Sequence, residues 1–214
     1  MTDSIHCSLL LSPEDRRQAR EIVRILYEQQ GYYTAQGATN IQQSLAQSAP
    51  TIFGAFIADR LFGTISVVED GPAGLPMDSI YKAELEPLRR AKRIAEVVQF
   101  AVDKERYARA GGRAPLLPAI SLFGAVLSYA LWRKLDYLCI SVNPKHARFY
   151  RLLGFHQIGA EKTYGAVSAP AIAYALSIPQ WEKQSLVLGV LGSEIRRHML
   201  KPESFSANPV AIGT

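Results

Sequence analysis

Glu96 stands in the run Arg93-Ile94-Ala95-Glu96-Val97-Val98-Gln99-Phe100-Ala101-Val102, whose apolar residues predict a buried strand. An ionised carboxylate is costly to bury without a partner, and burial lifts its pKa toward the range of a base that works near neutral pH. Glu96 therefore either takes protons in a reaction or escapes burial, by facing solvent or by pairing with Arg93. A second polar group follows at Asn143-Pro144-Lys145-His146 and Phe149-Tyr150. Pro144 opens a helix there, Asn143 caps it and Gly154 ends it. His146 precedes Tyr150 by one helical turn, so the imidazole and the phenol can share a face. Together they suit orienting a ligand; separately, His146 suits a hydrogen bond at the helix start and Tyr150 suits the core. Arg106, Arg109 and Arg113 form a basic run, either a solvated face or a landing place for an acidic partner. Nucleic acid would want a denser basic stripe interleaved with aromatics, so it is not an expected partner. Cys7 and Cys139 have no motif spacing, which argues against a metal site or a disulfide scaffold and fits a reducing cytoplasm.

The elements that must hold these residues read as one α/β domain with an appendage, for the chain has 214 residues. A helix opens at Ser12-Pro13-Glu14-Asp15 and carries Ile22, Val23 and Leu26; a Gln-rich stretch to Ala49 follows, with a short helix from Ile41. Thr51–Ala58 and Leu61–Glu69 read as a hairpin about Asp59-Arg60. A connection rich in Gly and Pro, 70–78, leads to a short helix from Ser79 to Glu86, ended by Pro87. The strand at 93–102, a helix within Ala114–Trp132 and the strand Tyr137–Val142 predict a right-handed crossover between parallel neighbours. Strands Phe155–Tyr164 and Ala171–Ile178 close a central mixed sheet with flanking helices. The expected units are a domain over 1–178, a C-terminal helix over 179–200 that offers a dimer contact, and a flexible tail over 201–214. Ala114–Trp132 has 19 residues without a charge, but Pro115, Pro118, Ser121 and Ser128 favour a buried helix over a membrane span. Met1–Leu11 carries Asp3 and no Lys or Arg, unlike a signal peptide.

The segment Val142-Asn-Pro-Lys-His-Ala-Arg-Phe-Tyr150-Arg-Leu-Leu-Gly-Phe155 goes further than pattern. It resembles the strand-to-helix segment of the GNAT acyltransferase superfamily, and its Pro, His and Phe-Tyr resemble those of the N-acyl amino acid synthases. These are relatives of the acyl-homoserine lactone autoinducer synthases. Gly63-Thr64-Ile65-Ser66, Gly74-Leu75-Pro76-Met77-Asp78 and the strand around Glu96 occur in the order that family shows. The resemblance implies a GNAT-like acyl-CoA N-acyltransferase fold, no permanently bound cofactor, and an acyl-phosphopantetheine thioester as donor. In its terms Glu96 takes the proton of the attacking amine and Tyr150 protonates the departing sulfur. Arg93, Asn143 and His146 bind substrate, and backbone N–H groups near Phe100, Ala101 and Val102 polarise the carbonyl.

Two departures refine the expectation. Acetyl-CoA users of the superfamily carry a spaced Gly-rich loop for the pyrophosphate after the fourth strand, whereas here the glycines of Asp103–Arg113 are adjacent. That favours delivery on acyl carrier protein, which Arg106, Arg109 and Arg113 would meet. Autoinducer synthases hold S-adenosylmethionine with acidic and aromatic residues in their N-terminal third, but Gln29–Ala58 has no Asp, Glu or Trp, and Gln99 replaces their usual Arg. The expected reaction is transfer of a medium or long acyl chain from acyl carrier protein to the α-amine of an amino acid. The alternatives are an acyl-homoserine lactone synthase and a silent GNAT-shaped module that binds carrier protein.

Overall fold

Strict alternation of side chains divides the sheet into two faces. In β4 (Ile94–Val102), Ile94 and Val98 join a small apolar cluster while Ala95 and Val97 join the main core on the other side. In β5 (Tyr137–Val142), Cys139 belongs to the small cluster and Leu138, Ile140 and Val142 to the main core. The computed structural model describes residues 5–32, 48–90, 92–163, 169–184 and 189–206. Its remaining strands are β1 (His6–Leu9), β2 (Thr51–Ile57), β3 (Arg60–Glu69), β6 (His156–Gln157), β7 (Lys162–Thr163) and β8 (Pro170–Ser177). They form one mixed sheet in the order β1-β2-β3-β4-β5-β8-β6, with β7 also on β8. The β4–β5 pair is parallel and the other described pairs are antiparallel.

Helices cover both faces. Helix α1 (Pro13–Gln29) starts where Ser12 Oγ accepts the Asp15 N–H at 3.0 Å, and it packs Ala19, Ile22 and Val23 on Leu10, Ile52 and Leu61. Helix α2 (Asp78–Arg89) covers the small cluster with Tyr81 and Leu85. It runs past Pro87, where the sequence reading ends it, because Arg89 in its last turn is clamped by Asp70 at 2.6 Å and Asp78 at 2.5 Å. Short α3 (Lys104–Arg109) leads to α4 (Leu117–Trp132), the crossover helix, 11 of whose 16 residues are buried. At 1.5 Å per residue it is ~24 Å long, short of the ~30 Å a membrane span needs. Among the described residues no helix is long and apolar enough to cross a membrane.

Three other boundaries differ from the sequence reading. The hairpin turn is Ala58-Asp59, both at positive φ, so Arg60 already pairs with Ile57. The expected strand 155–164 is broken into β6 and β7. Between them Gly159 passes so close to the Tyr81 ring that a Cβ there would stand 2.9 Å from it, and the Tyr81 hydroxyl donates to the Ala160 and Ala171 carbonyls. The expected C-terminal helix is α6 (Ile178–Gln184) and α7 (Gly189–Arg197), followed by the turn α8 (Glu203–Ser206). Trp181, Ile195 and Phe205 enter the main core, so the chain as far as Ser206 belongs to the folded domain. Residues 207–214 and the helix expected from Ile41 lie outside the described residues.

Gly124 of α4 is what lets α7 dock. A Cβ there would meet the Ile195 carbonyl oxygen at 2.9 Å and the His198 backbone at 3.0 Å. One turn on, Ser128 Oγ donates to the Gly124 carbonyl at 2.6 Å and accepts the Leu200 N–H at 2.7 Å. Gly124→Ala is therefore expected to destabilise by about 1–3 kcal/mol, although alanine favours helices, because rigid backbone must move. A thermal melt lowered by several degrees would show it; an unchanged or raised Tm would mean that this contact gives way freely.

Candidate active site

The sheet splits where the sequence motifs meet. Parallel pairing of β4 with β5 begins at Ile94–Tyr137 and stops at Val97–Ile140. Beyond it, β4 keeps β3 as its partner and β5 keeps β8 through Ser141–Ala173 and Val142–Ile172. The cause is a bulge: Ser66 pairs with Val98 and Thr64 with Ala101, so Gln99 and Phe100 together oppose Ile65. Gln99 sits at φ 53°, the left-handed region that non-glycine residues avoid. The edges of Val98–Val102 and Ser141–Val142 that would continue this ladder are thus free of it.

Glu96 lies just before the split, paired in register with Val68 on one side and Cys139 on the other. It is only 3% exposed and faces the small cluster. Its Oε2 accepts the Met77 N–H at 2.8 Å, and Oε1 has no protein partner among the described residues. Burial pushes its pKa up to about 8, with Asp78 adding to the rise and the Met77 amide opposing it. The alternative of an Arg93–Glu96 pair is excluded. Arg93 instead approaches Glu69 at 3.6 Å, and its backbone N–H is bonded to Asp136.

Tyr150 lies on the other face. It belongs to α5 (Ala147–Leu152), whose approach is a 3-10 turn, Pro144–His146, capped by Asn143 Oδ1 on the Lys145 N–H at 3.1 Å. Its ring packs edge-on against Phe123, Phe149 and Phe155 in the main core. The hydroxyl has no hydrogen-bond partner among the described residues, and burial raises its pKa, so it holds its proton at neutral pH. Phe100, just past the split, stacks on Phe149 with centroids 6.5 Å apart. The end of α1 closes over this group. The Tyr27 hydroxyl donates to the Phe100 carbonyl at 3.3 Å, the Tyr32 hydroxyl stands 3.4 Å from His146 Nε2, and Lys145 lies over the Tyr32 ring. His146 is thus exposed beside Tyr32, its pKa lowered by partial burial and by Lys145 and Lys104.

The predicted residues therefore gather in part. Glu96, Phe100, Ala101, Val102, Asn143, His146 and Tyr150 surround the split. Arg93 does not, since it precedes β4 and stands on the order of 20 Å from Phe100 along the strand. Arg106, Arg109 and Arg113 are exposed along and after α3, with Arg106 paired to Asp103 at 3.0 Å and Arg109 to Glu105 at 3.6 Å. Asp103 also accepts the Arg106 N–H at 2.8 Å and so caps the start of α3 with a carboxylate. Tyr27 and Tyr32 are partners the sequence reading missed, because only the fold brings α1 to the split. A cavity of about 430 Å³ lies between the 70–78 loop and α2, lined by Asp70, Asp78, Lys82 and Arg89. It lies on the Glu96 side of the sheet, and Arg89 bridges both aspartates.

A family described as "N-acyl amino acid synthase FeeM" matches residues 18–177. Among solved structures, the chain is similar to FeeM, an N-acyl amino acid synthase from uncultured soil microbes, at 49% identity and a TM-score of 0.76, over 86% of this chain and 96% of that one. It also shares its fold with BjaI, a CoA-dependent acyl-homoserine lactone synthase, at 15% identity and a TM-score of 0.57, over 93% and 91% of the two chains. An aminoglycoside N(6')-acetyltransferase of Legionella pneumophila matches at 15% identity and a TM-score of 0.54, over 86% and 98%. No curated protein sequence matches. With the split sheet and its buried carboxylate and phenol in place, the chain belongs to the FeeM family of N-acyl amino acid synthases and is an N-acyltransferase.

Proposed function

We propose that this enzyme moves a medium or long acyl chain from acyl carrier protein to the α-amine of an amino acid, in the cytoplasm. The observation that carries the reading is the split between β4 and β5, with Glu96 on one face and the Tyr150 hydroxyl on the other. A thioester threaded between the strands would present its carbonyl carbon toward Glu96 and its sulfur toward Tyr150. The amine nitrogen attacks that carbon as its proton passes to the Glu96 carboxylate. The C–N bond forms, the C–S bond breaks, and the Tyr150 hydroxyl gives its proton to the sulfur, to be replenished from solvent. Backbone N–H groups among Phe100–Val102, beyond the end of the β4–β5 ladder, would meet the oxyanion. The aromatic group Phe100, Phe123, Phe149 and Phe155 gives an acyl chain an apolar bed.

Acyl carrier protein is favoured as donor because its prosthetic arm has one phosphate, and the carboxylate of Asp103 stands where a pyrophosphate would need donors. Since Asp103 and Glu105 offset Arg106 and Arg109, the basic face works through a modest net charge. Changing Arg106, Arg109 and Arg113 together to Glu is expected to lower kcat/KM for acyl carrier protein about 10-fold at low salt. The loss should shrink as salt rises, and acyl-pantetheine turnover should stay unchanged. Equal losses for both donors would place these arginines in the fold instead of the docking face. The function itself is tested by incubating the enzyme with acyl carrier proteins bearing medium and long acyl chains and a mixture of amino acids. An N-acyl amino acid detected by mass spectrometry supports the reading. Turnover only with acyl-CoA, or only with S-adenosylmethionine to give a lactone, contradicts it.

A further inference from the structure

We propose that Ser141 holds the α-carboxylate of the acceptor amino acid, an assignment that rests on the reading above. Ser141 is the first residue of β5 beyond the last β4–β5 pair, Val97–Ile140. By strand alternation its side chain shares a face with Cys139, the register partner of Glu96. Its cross-strand neighbour Ala173 belongs to the same small cluster and has only a methyl group to offer. The Ser141 hydroxyl is buried and makes no hydrogen bond among the described residues. The buried serines Ser121 and Ser128, by contrast, donate to backbone, to the Leu117 and Gly124 carbonyls. A buried donor left open at the lip of the split, beside the assigned base, is a place for a ligand acceptor.

Spacing selects the ligand class. Glu96 is level with Cys139, and Ser141 lies two residues on, about 7 Å along the strand. An α-amino acid spans about 3 Å from nitrogen to carboxylate oxygen, and a hydrogen bond of about 2.8 Å at each end lets it bridge such a gap. With its amine at Glu96, the acceptor's carboxylate then receives the Ser141 O–H. The arrangement would favour α-amino acids over amines that lack the carboxylate, because such amines leave the hydroxyl unpaired.

The test compares one α-amino acid that the enzyme accepts with the amine formed by removing its carboxyl group, at saturating acyl carrier protein. Ser141→Ala is expected to raise KM for the amino acid about 10-fold or more while kcat changes little, since a hydrogen bond to a charged group is lost. Its kcat/KM for the amine should equal the parent's, so the preference for the carboxylate falls. Ser141→Thr keeps the hydroxyl and should restore much of the KM. Equal losses on both substrates, or no loss on either, would overturn the assignment while leaving the acyl transfer reading intact. A parent enzyme that acylates no amino acid would overturn the reading, and the assignment with it.

Discussion

Glu96→Gln is expected to slow acyl transfer by about 10²–10⁴-fold, the range lost when a positioned base is removed, while making the protein more stable at alkaline pH. The substitution keeps shape and leaves an oxygen for the Met77 N–H, but the group that takes the amine's proton is gone. The stability effect follows from linkage. Folding raises the Glu96 pKa from 4.5 to about 8, so between these values the native state binds a proton that the unfolded chain has released. Stability from this group is full below pH 4.5, declines above it, and is gone once pH passes 8, a total on the order of 5 kcal/mol by the conversion of pKa to free energy. Urea unfolding at pH 6 and pH 9 should therefore show a drop in the parent that Glu96→Gln lacks. A variant that turns over like the parent would reduce Glu96 to a buried structural acid.

Tyr150→Phe removes one oxygen from an aromatic cluster and is expected to cost about 10²-fold or more in transfer if sulfur protonation limits the rate. Because the hydroxyl has no protein partner among the described residues, the ring contacts with Phe123, Phe149 and Phe155 persist and Tm should hardly move. Donors with a more acidic thiol, such as aryl thioesters, need less help in leaving. They should restore much of the rate of Tyr150→Phe and little of that of Glu96→Gln. Equal rescue of both variants would contradict the separate assignment of amine and sulfur.

The strands and the crossover were legible because 94–98 and 137–142 are short, mostly apolar runs of strand length and because α4 has no charge. Glu96 stood out as a carboxylate among apolar neighbours, and it is buried as its place in an apolar strand suggests. Pairing with Arg93 depended instead on geometry a strand forbids: adjacent turns of a helix bring i and i+3 together, whereas in an extended strand they face opposite sides and part. The bulge at Gln99 was hidden because no glycine marks its positive φ. Ala58 and Asp59 concealed the hairpin turn in the same way. The roles of Tyr27 and Tyr32 depend on contacts with residues more than seventy positions away, beyond the reach of local pattern. The C-terminal segment read as a helix and tail because its deep anchors, Trp181, Ile195 and Phe205, are isolated apolar residues among polar neighbours.

The most direct measurement is the single-turnover rate of acyl transfer from acyl carrier protein to an amino acid, followed from pH 6 to pH 10 by rapid quench. If Glu96 is the base, the parent rate rises with pH and levels off above its pKa of about 8, and Glu96→Gln is slow with that inflection absent. A parent profile that is flat across this range, or an inflection that survives unchanged in Glu96→Gln, would contradict the account.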